Sequence, residues 1–468
     1  MCLAISLSKN QYLERLKTLQ TNFLPKSIMK NRITTGLIGV LTGFLLFAHN
    51  THAQEEETGR SAKASTQYIQ EVDRLAKHKQ LQKALQSIVA QNKQNRDELI
   101  MLTEIPAPPF KEEKRAARFA TVLKDAGADS VWIDKVGNVI ALRKGKNARR
   151  CVALDGHLDT VFPAETNVAV KIKGDTLFAP GVSDDTRGLV MVASVLRALE
   201  EANIETQSDV LFIGSVGEEG LGDLRGVKHL FSAQSRKIDS WIAIDGGDLG
   251  SLRTMGLGSY RYRITFKGPG GHSWGAFGLA NPQHALGSTI HYFSKAADKF
   301  TRTGARTSYN VGRIGGGTSV NSIAFESWME VDMRSEIPEN LNLVDSLLKA
   351  SAQKALDEHN QMRRMGPALT VDVAKIGDRP SGELAETIPL IQRAMAAVTY
   401  LGEIPKTGRG STNSNIPIAK GIPSVTLGRG GQGGNGHSLN EWWYDDQGYK
   451  AIQLALLTLV AEAGMVNP

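Results

Sequence analysis

The sequence predicts an α/β fold, and three observations carry that prediction. Apolar runs at 151–154, 210–213 and 241–244 have the length and continuity of strands buried on both faces of a parallel-type sheet. Between them lie longer segments with helical spacing, as in 188–203, where Leu189, Val192, Ala193, Val195, Leu196 and Leu199 recur on one face. Acids and histidines stand just after the apolar runs, at the carboxyl ends of strands, where the loops of an open α/β sheet converge on one rim.

Each element follows in order. Residues 54–80, polar and acidic at their start, read as a flexible leader. Helical patterns cover 81–103 and 111–126, separated by the rigid break Pro106-Ala-Pro-Pro-Phe. Short strands at 130–133 and 139–143 precede the run at 151–154, and a first catalytic segment spans 81–255. Near Gly256 the pattern changes to Tyr260-Arg-Tyr-Arg-Ile-Thr-Phe, the alternation of a half-exposed strand. A helix at 282–300, strands up to Arg334, a helix at 341–360 and a closing strand from Leu369 make 256–373 an inserted α+β unit. The first domain resumes over 374–468, with a helix at 386–400 and a strand at 424–427 leading to His437. At 468 residues, two domains are what the length requires.

The net charge of +7 is mostly local. Residues 1–53 hold six Lys/Arg against Glu14 alone, and the remaining chain holds 49 basic against 47 acidic residues. That balance gives nucleic-acid binding no electrostatic support. The basic start belongs to an export signal: Met29-Lys-Asn-Arg, an apolar stretch at 33–48, and Thr51-His-Ala53 before Gln54 as the cleavage site. The apolar stretch is shorter than the ~20 residues of a spanning helix, so cleavage near 53/54 is favoured over a retained anchor. Met29 is a plausible true start. A periplasmic or secreted location follows. Cys2 leaves with the signal and Cys151 sits in an apolar strand, so no disulfide is expected.

The chemistry gathers at seven side chains. His157 and Asp159 follow the first apolar run, Asp184 lies in Gly181-Val-Ser-Asp-Asp, Glu218 and Glu219 follow the second run, Asp245 follows the third, and His437 precedes Ser-Leu-Asn-Glu. Five carboxylates and two imidazoles on one rim repel and perturb one another unless divalent cations neutralise them. Glu218 and Glu219 are neighbours on extended or loop backbone, so one can bind an ion while the other faces a water. Asp159 points to the same side as His157 and is expected to accept its free imidazole N–H. A solitary Asp-Gly-His is usually a polar turn; the ordered set is what favours metal chemistry. The glycine-rich stretch from Gly428 lacks the lysine of a phosphate loop and leads into no apolar helix, which disfavours a nucleotide site.

At these positions the chain resembles the co-catalytic zinc exopeptidases and amidohydrolases related to peptidase T, aminoacylase and succinyl-diaminopimelate desuccinylase, and most of all their di- and tripeptidase-like members. The resemblance rests on Asp155-Gly-His-Leu-Asp-Thr-Val-Phe-Pro, Ala179-Pro-Gly-Val-Ser-Asp-Asp-Thr-Arg-Gly, Gly217-Glu-Glu-Gly, Asp245-Gly-Gly and Gly268-Pro-Gly-Gly-His-Ser, in that order. It implies a zinc-exopeptidase catalytic domain with a mixed, largely parallel sheet and an inserted dimerisation lid. It also implies two Zn²⁺ per subunit, with Co²⁺ or Mn²⁺ as substitutes: His157, Asp184 and Asp245 on one ion, Asp184, Glu219 and His437 on the other. Glu218 would be the general base, and His272 would cross a homodimer interface to steady the oxyanion. Asn321 and Arg334 match substrate-holding positions, although Arg334 reads equally well as a salt-bridged strand residue. Two positions depart from the family: Asn413 where aspartate is usual, and Thr186-Arg187 where a lysine is usual. The expected activity is an exported metallopeptidase of the di-/tripeptidase or aminopeptidase type, hydrolysing short peptides with a water activated by two zinc ions and a glutamate general base. An N-acyl amino acid amidohydrolase or carboxypeptidase is the alternative, and a non-catalytic metal-dependent binding protein is a third reading that Glu218 argues against.

Overall fold

A computed structural model describes residues 59–467, apart from 148, 233 and 234. The expected signal at 1–53, with Met29 and Cys2, lies outside the described residues. Among the described residues no helix is long and apolar enough to cross a membrane.

The strand Cys151–His157 is the centre of a mixed sheet. It pairs in parallel with Asp209–Ser215 on one side and Ser240–Gly246 on the other, and Ser424–Gly428 continues the parallel run. Antiparallel strands flank this core: Val139–Arg143 and Ser130–Ile133 at one edge, Ser251–Gly256 at the other. Lys406–Gly410 then pairs in parallel with Ser251–Gly256.

Alternation along each strand explains why both faces are covered. Val152, Leu154, Val210, Phe212, Ile242 and Ile244 enter the core beneath helices Thr186–Glu201, Pro389–Tyr400 and Tyr449–Ala463. The intervening Cys151, Ala153, Leu211, Ile213, Trp241 and Ala243 form a second core on the opposite face with Val227 and Leu230. Full burial of each large side chain contributes about 1.5–3 kcal/mol. The strands are therefore rigid, and so are the positions of the side chains at their ends.

The inserted unit is a four-stranded antiparallel sheet in the order Thr307–Gly316, Glu326–Ser335, Gly258–Lys267, Thr370–Arg379. Helices Pro282–Thr301 and Pro338–Gln361 close its own core around Ile264, Phe266, Phe293, Met329, Val344 and Leu348. Its last strand runs past the expected boundary at 373 to Arg379, which pairs with Ser259. That extension matters, because Arg379 reaches the catalytic rim.

The leader expectation is corrected over 59–80. Arg60–Ser61 pairs with Lys406–Gly410, and Thr66–Ala76 is a helix burying Val72, Leu75 and Ala76. Its polar composition concealed an amphipathic period, and Arg393 fixes it through an ion pair with Glu71 at 3.1 Å. Leu75→Ala is therefore expected to destabilise the protein by about 2 kcal/mol in denaturant unfolding, whereas an unattached leader would leave the midpoint unchanged.

Candidate metal centre

The rim assembles because parallel pairing brings the carboxyl ends of the strands together. His157 ends its strand opposite Ser215, three residues before Glu218 in sequence, and Asp245 lies near the end of Ser240–Gly246. Asp184 precedes helix Thr186–Glu201, whose N-cap is Asp185. The Asp184–Asp185 peptide is cis.

Asp184 is the hinge of the arrangement. Its Oδ1 is 3.1 Å from His157 Nε2, and Asp245 Oδ1 lies 3.9 Å from the same nitrogen. Its Oδ2 is 3.2 Å from His437 Nε2, which is 3.0 Å from Glu219 Oε1. One carboxylate thus faces two donor groups, His157 with Asp245 and His437 with Glu219. One donor atom each from His157, Asp184 and Glu219 lies within 4.8 Å of the other two.

Buried polar contacts hold these groups in place. Asp185 accepts from the backbone N–H of His157 at 3.0 Å and of Gly188 at 3.1 Å, and a Cβ at position 188 would collide with its carboxylate. Glu441, which the sequence reading passed over, accepts from the backbone N–H of Gly181, Ser183 and Asp184 at 2.8–2.9 Å. It fixes the loop that presents Asp184. Its only sequence signal is its place soon after His437.

Asp159 does different work from that expected. The His157 Nδ1 partner is the Asp159 backbone carbonyl at 3.0 Å, while the Asp159 carboxylate is 3.7 Å away. That carboxylate accepts instead from the backbone N–H of Glu218 at 2.9 Å and Glu219 at 2.7 Å. The same residue therefore orients the imidazole through its main chain and the glutamate pair through its side chain. Two backbone donors compete better for a buried carboxylate than one ring N–H.

Two arginines were also missed. Arg429 Nη2 lies 2.6 Å from Asp245 Oδ1 and 3.3 Å from Asp184 Oδ1. Arg379 Nη1 pairs with Glu218 Oε1 at 2.9 Å, both side chains being buried. Arg429 is tied to the glycine-rich stretch, where a Cβ on Gly428 would collide with the Asp248 carbonyl.

The departures from the family pattern now have structural accounts. Asn413 Nδ2 donates to Asp155 Oδ2 at 2.7 Å and to Ser215 Oγ at 2.8 Å, in a site whose burial pushes Asp155 up to about 7. An aspartate at 413 would set two buried carboxylates against each other. Thr186 Oγ1 donates to the Gly181 carbonyl at 2.7 Å, and Arg187 donates to the Gly448 carbonyl at 2.8 Å while stacking on Trp443. Both serve packing rather than the rim.

His272 and Asn321 are not brought to this centre within one chain. They lie on an exposed ribbon formed by Gly271–His272 and Ser322–Ile323, where His272 Nδ1 accepts from the N–H of Trp274 and Gly275. Arg334 does border the cavity in front of the rim, while sharing Asp332 with Arg261.

The electrostatics bear on whether cations fit. Burial pushes Glu219 up to about 7, and burial likewise raises Asp245 well above the carboxylate range. Hydrogen bonds to Asp184 and Glu219 raise His437 to about 11. Arg429 alone does not balance the Asp184, Asp185 and Asp245 carboxylates that it faces. Nitrogen and oxygen donors converging with surplus buried negative charge suit a borderline divalent ion such as Zn²⁺.

Peptidase family M20/M25/M40 matches residues 153–461 of the chain. The chain belongs to that family. As an M20 member it is a hydrolase acting on peptide bonds. Its sequence is 26% identical over 353 residues to the uncharacterized protein YqjE of Bacillus subtilis, covering 71% of this chain and 88% of that protein. Its M20 fold is similar to that of aminopeptidase PepT from Bacillus cereus, with TM-score 0.61, 21% identity and coverage of 80% of this chain and 99% of that one. It is also similar to Bacillus subtilis YXEP, described as a dinuclear metal-binding M20 peptidase, with TM-score 0.56, 18% identity and coverage of 80% and 99%.

Proposed function

We propose that the chain is an exported metallopeptidase that hydrolyses short peptides, with His157, Asp184 and Asp245 holding one Zn²⁺ and Asp184, Glu219 and His437 the other. The observation that carries this reading is the two-sided Asp184 carboxylate, with a histidine and an acid gathered at each oxygen. The basic and apolar segment within 1–53 supports export.

When bound, two such ions supply Lewis-acid polarisation of the amide carbonyl and lower the pKa of a water. The protein's own residues do the rest. Arg379 ties Glu218 Oε1, and the carboxylate borders the cavity, so its other oxygen is placed to take the proton of the attacking water and return it to the departing nitrogen. Asp159 keeps Glu218 and Glu219 divergent by holding both backbone N–H groups. The chelator-treated protein is expected to lose hydrolysis of di- and tripeptides, and zinc to restore it; activity that persists without metal would refute the reading.

His272 belongs to the same proposal through a second subunit. Its ribbon is bordered by exposed Trp274, Phe277, Val320 and Phe325, an apolar surface suited to a second copy of the chain. In a homodimer, His272 of the partner subunit would steady the oxyanion. Mixed dimers of His272→Ala and Glu218→Ala chains should recover part of the activity that each homodimer lacks. Recovery of none, with mixed dimers present by mass analysis, would remove the trans role.

A further inference from the structure

Arg429 stands among the groups assigned to one ion, and its backbone keeps it there. Gly428 pairs in parallel with Gly246, one residue past Asp245, and a Cβ on Gly428 would collide with the Asp248 carbonyl, so the two strand ends lie in close contact. The Arg429 N–H donates to the Gly247 carbonyl at 3.2 Å, and the Arg429 carbonyl accepts from Arg187 Nε at 3.4 Å. The side chain is only 14% exposed. Its Nη2 donates to Asp245 Oδ1 at 2.6 Å and lies 3.3 Å from Asp184 Oδ1, while its Nε lies 3.3 Å from Asp185 Oδ1. Asp184 Oδ1 and Asp245 Oδ1 are the oxygens that face His157 Nε2, at 3.1 and 3.9 Å. The guanidinium therefore engages the same oxygens that an ion held by His157, Asp184 and Asp245 needs.

The other side of Asp184 is built differently. Its Oδ2 and Glu219 Oε1 both face His437 Nε2, at 3.2 and 3.0 Å. An imidazole is a metal ligand, so the group that answers these two acids joins the coordination of an entering ion. A guanidinium offers only donors and keeps its charge, so it stays beside an entering ion as a competitor. Between buried groups a few ångströms apart, that like charge is poorly screened.

We infer that Arg429 is a resident cation that sets the two ion positions apart: the position of Glu219 and His437 holds its ion tightly, and the position of His157 and Asp245 holds its ion weakly, against competition from the guanidinium. The inference rests on the two-ion reading above and names the residue that grades the two positions. The weaker ion then comes and goes with the supply of metal, while the tighter one stays.

The test is titration of the chelator-treated, dialysed full chain with Co²⁺, read by calorimetry and by the visible absorption of the bound ion. Two steps should appear, separated by roughly 10–100-fold in affinity, the span over which groups behind the ligands change metal binding. Asp245→Ala should remove the weaker step and His437→Ala the tighter one. Arg429→Gln should strengthen the weaker step by roughly 10-fold or more, and Arg429→Lys, which keeps the charge, should leave the steps apart. Two equal steps in the unaltered protein, loss of the tighter step in Asp245→Ala, or a weaker step that Arg429→Gln leaves unchanged would overturn the inference while the two-ion centre stands. If Arg429→Gln does not fold, the order of the steps in the unaltered protein and in the two ligand variants decides it. Two unequal steps without hydrolysis of any peptide support the inference and refute the peptidase reading, and uptake of no ion overturns both.

Discussion

Glu218→Gln is expected to lower kcat by about 10²–10⁴-fold, the usual contribution of a positioned proton-transfer group, while leaving metal content and KM close to those of the unaltered protein. Glutamine keeps the shape and still offers an oxygen to Arg379 Nη1, which sits 2.9 Å from Glu218 Oε1. Its backbone N–H still donates to Asp159. What disappears is the ability to accept and release a proton. Glu218→Ala is the less informative change, because it strands a buried guanidinium, and breaking a buried pair costs about 3–5 kcal/mol. Comparing kcat, metal stoichiometry and thermal midpoint for the two variants separates lost chemistry from lost structure. Undiminished turnover by the glutamine variant would reject the general-base role.

Asp184→Ala is expected to lose both ions, whereas Asp245→Ala and His437→Ala each weaken one. The reason lies in the geometry: Asp184 Oδ1 faces His157 and its Oδ2 faces His437, so its removal opens both groups. Elemental analysis of dialysed protein should find the alanine variant at position 184 nearly empty and inactive. Retention of two ions would refute the bridging assignment. Uptake also has a definite pH sense. Without an ion, Glu219 lies at about 7 and His437 at about 11, so protons occupy these donors near neutrality and must leave when metal enters. Metal binding should therefore release protons and strengthen as pH rises, which a weakly buffered zinc titration reads directly.

Much of the centre was legible because its donors sit where strands end. Continuous apolar runs mark strands buried on both faces, and His157, the Glu218-Glu219 pair and Asp245 fall just after three of them. Helix Thr186–Glu201 was equally visible from its apolar spacing. The helix Thr66–Ala76 was not, because its polar composition outweighed a short amphipathic pattern. His272 and Asn321 were legible only by resemblance, and within one chain the fold places them away from the cavity.

The sequence by itself determined the α/β layering, the inserted unit and the residue types that converge on the rim, since periodicity and strand-end position are local properties. Only the tertiary structure decided who answers whom. Arg379 meets Glu218 from 161 residues away and Arg429 meets Asp245 from 184. Asp159 turns to the Glu218-Glu219 backbone, and Glu441 secures the Asp184 loop across more than 250 residues. A buried charge takes whichever partner packing brings within hydrogen-bond reach, and that distance is set by how sheets and loops stack, not by spacing along the chain.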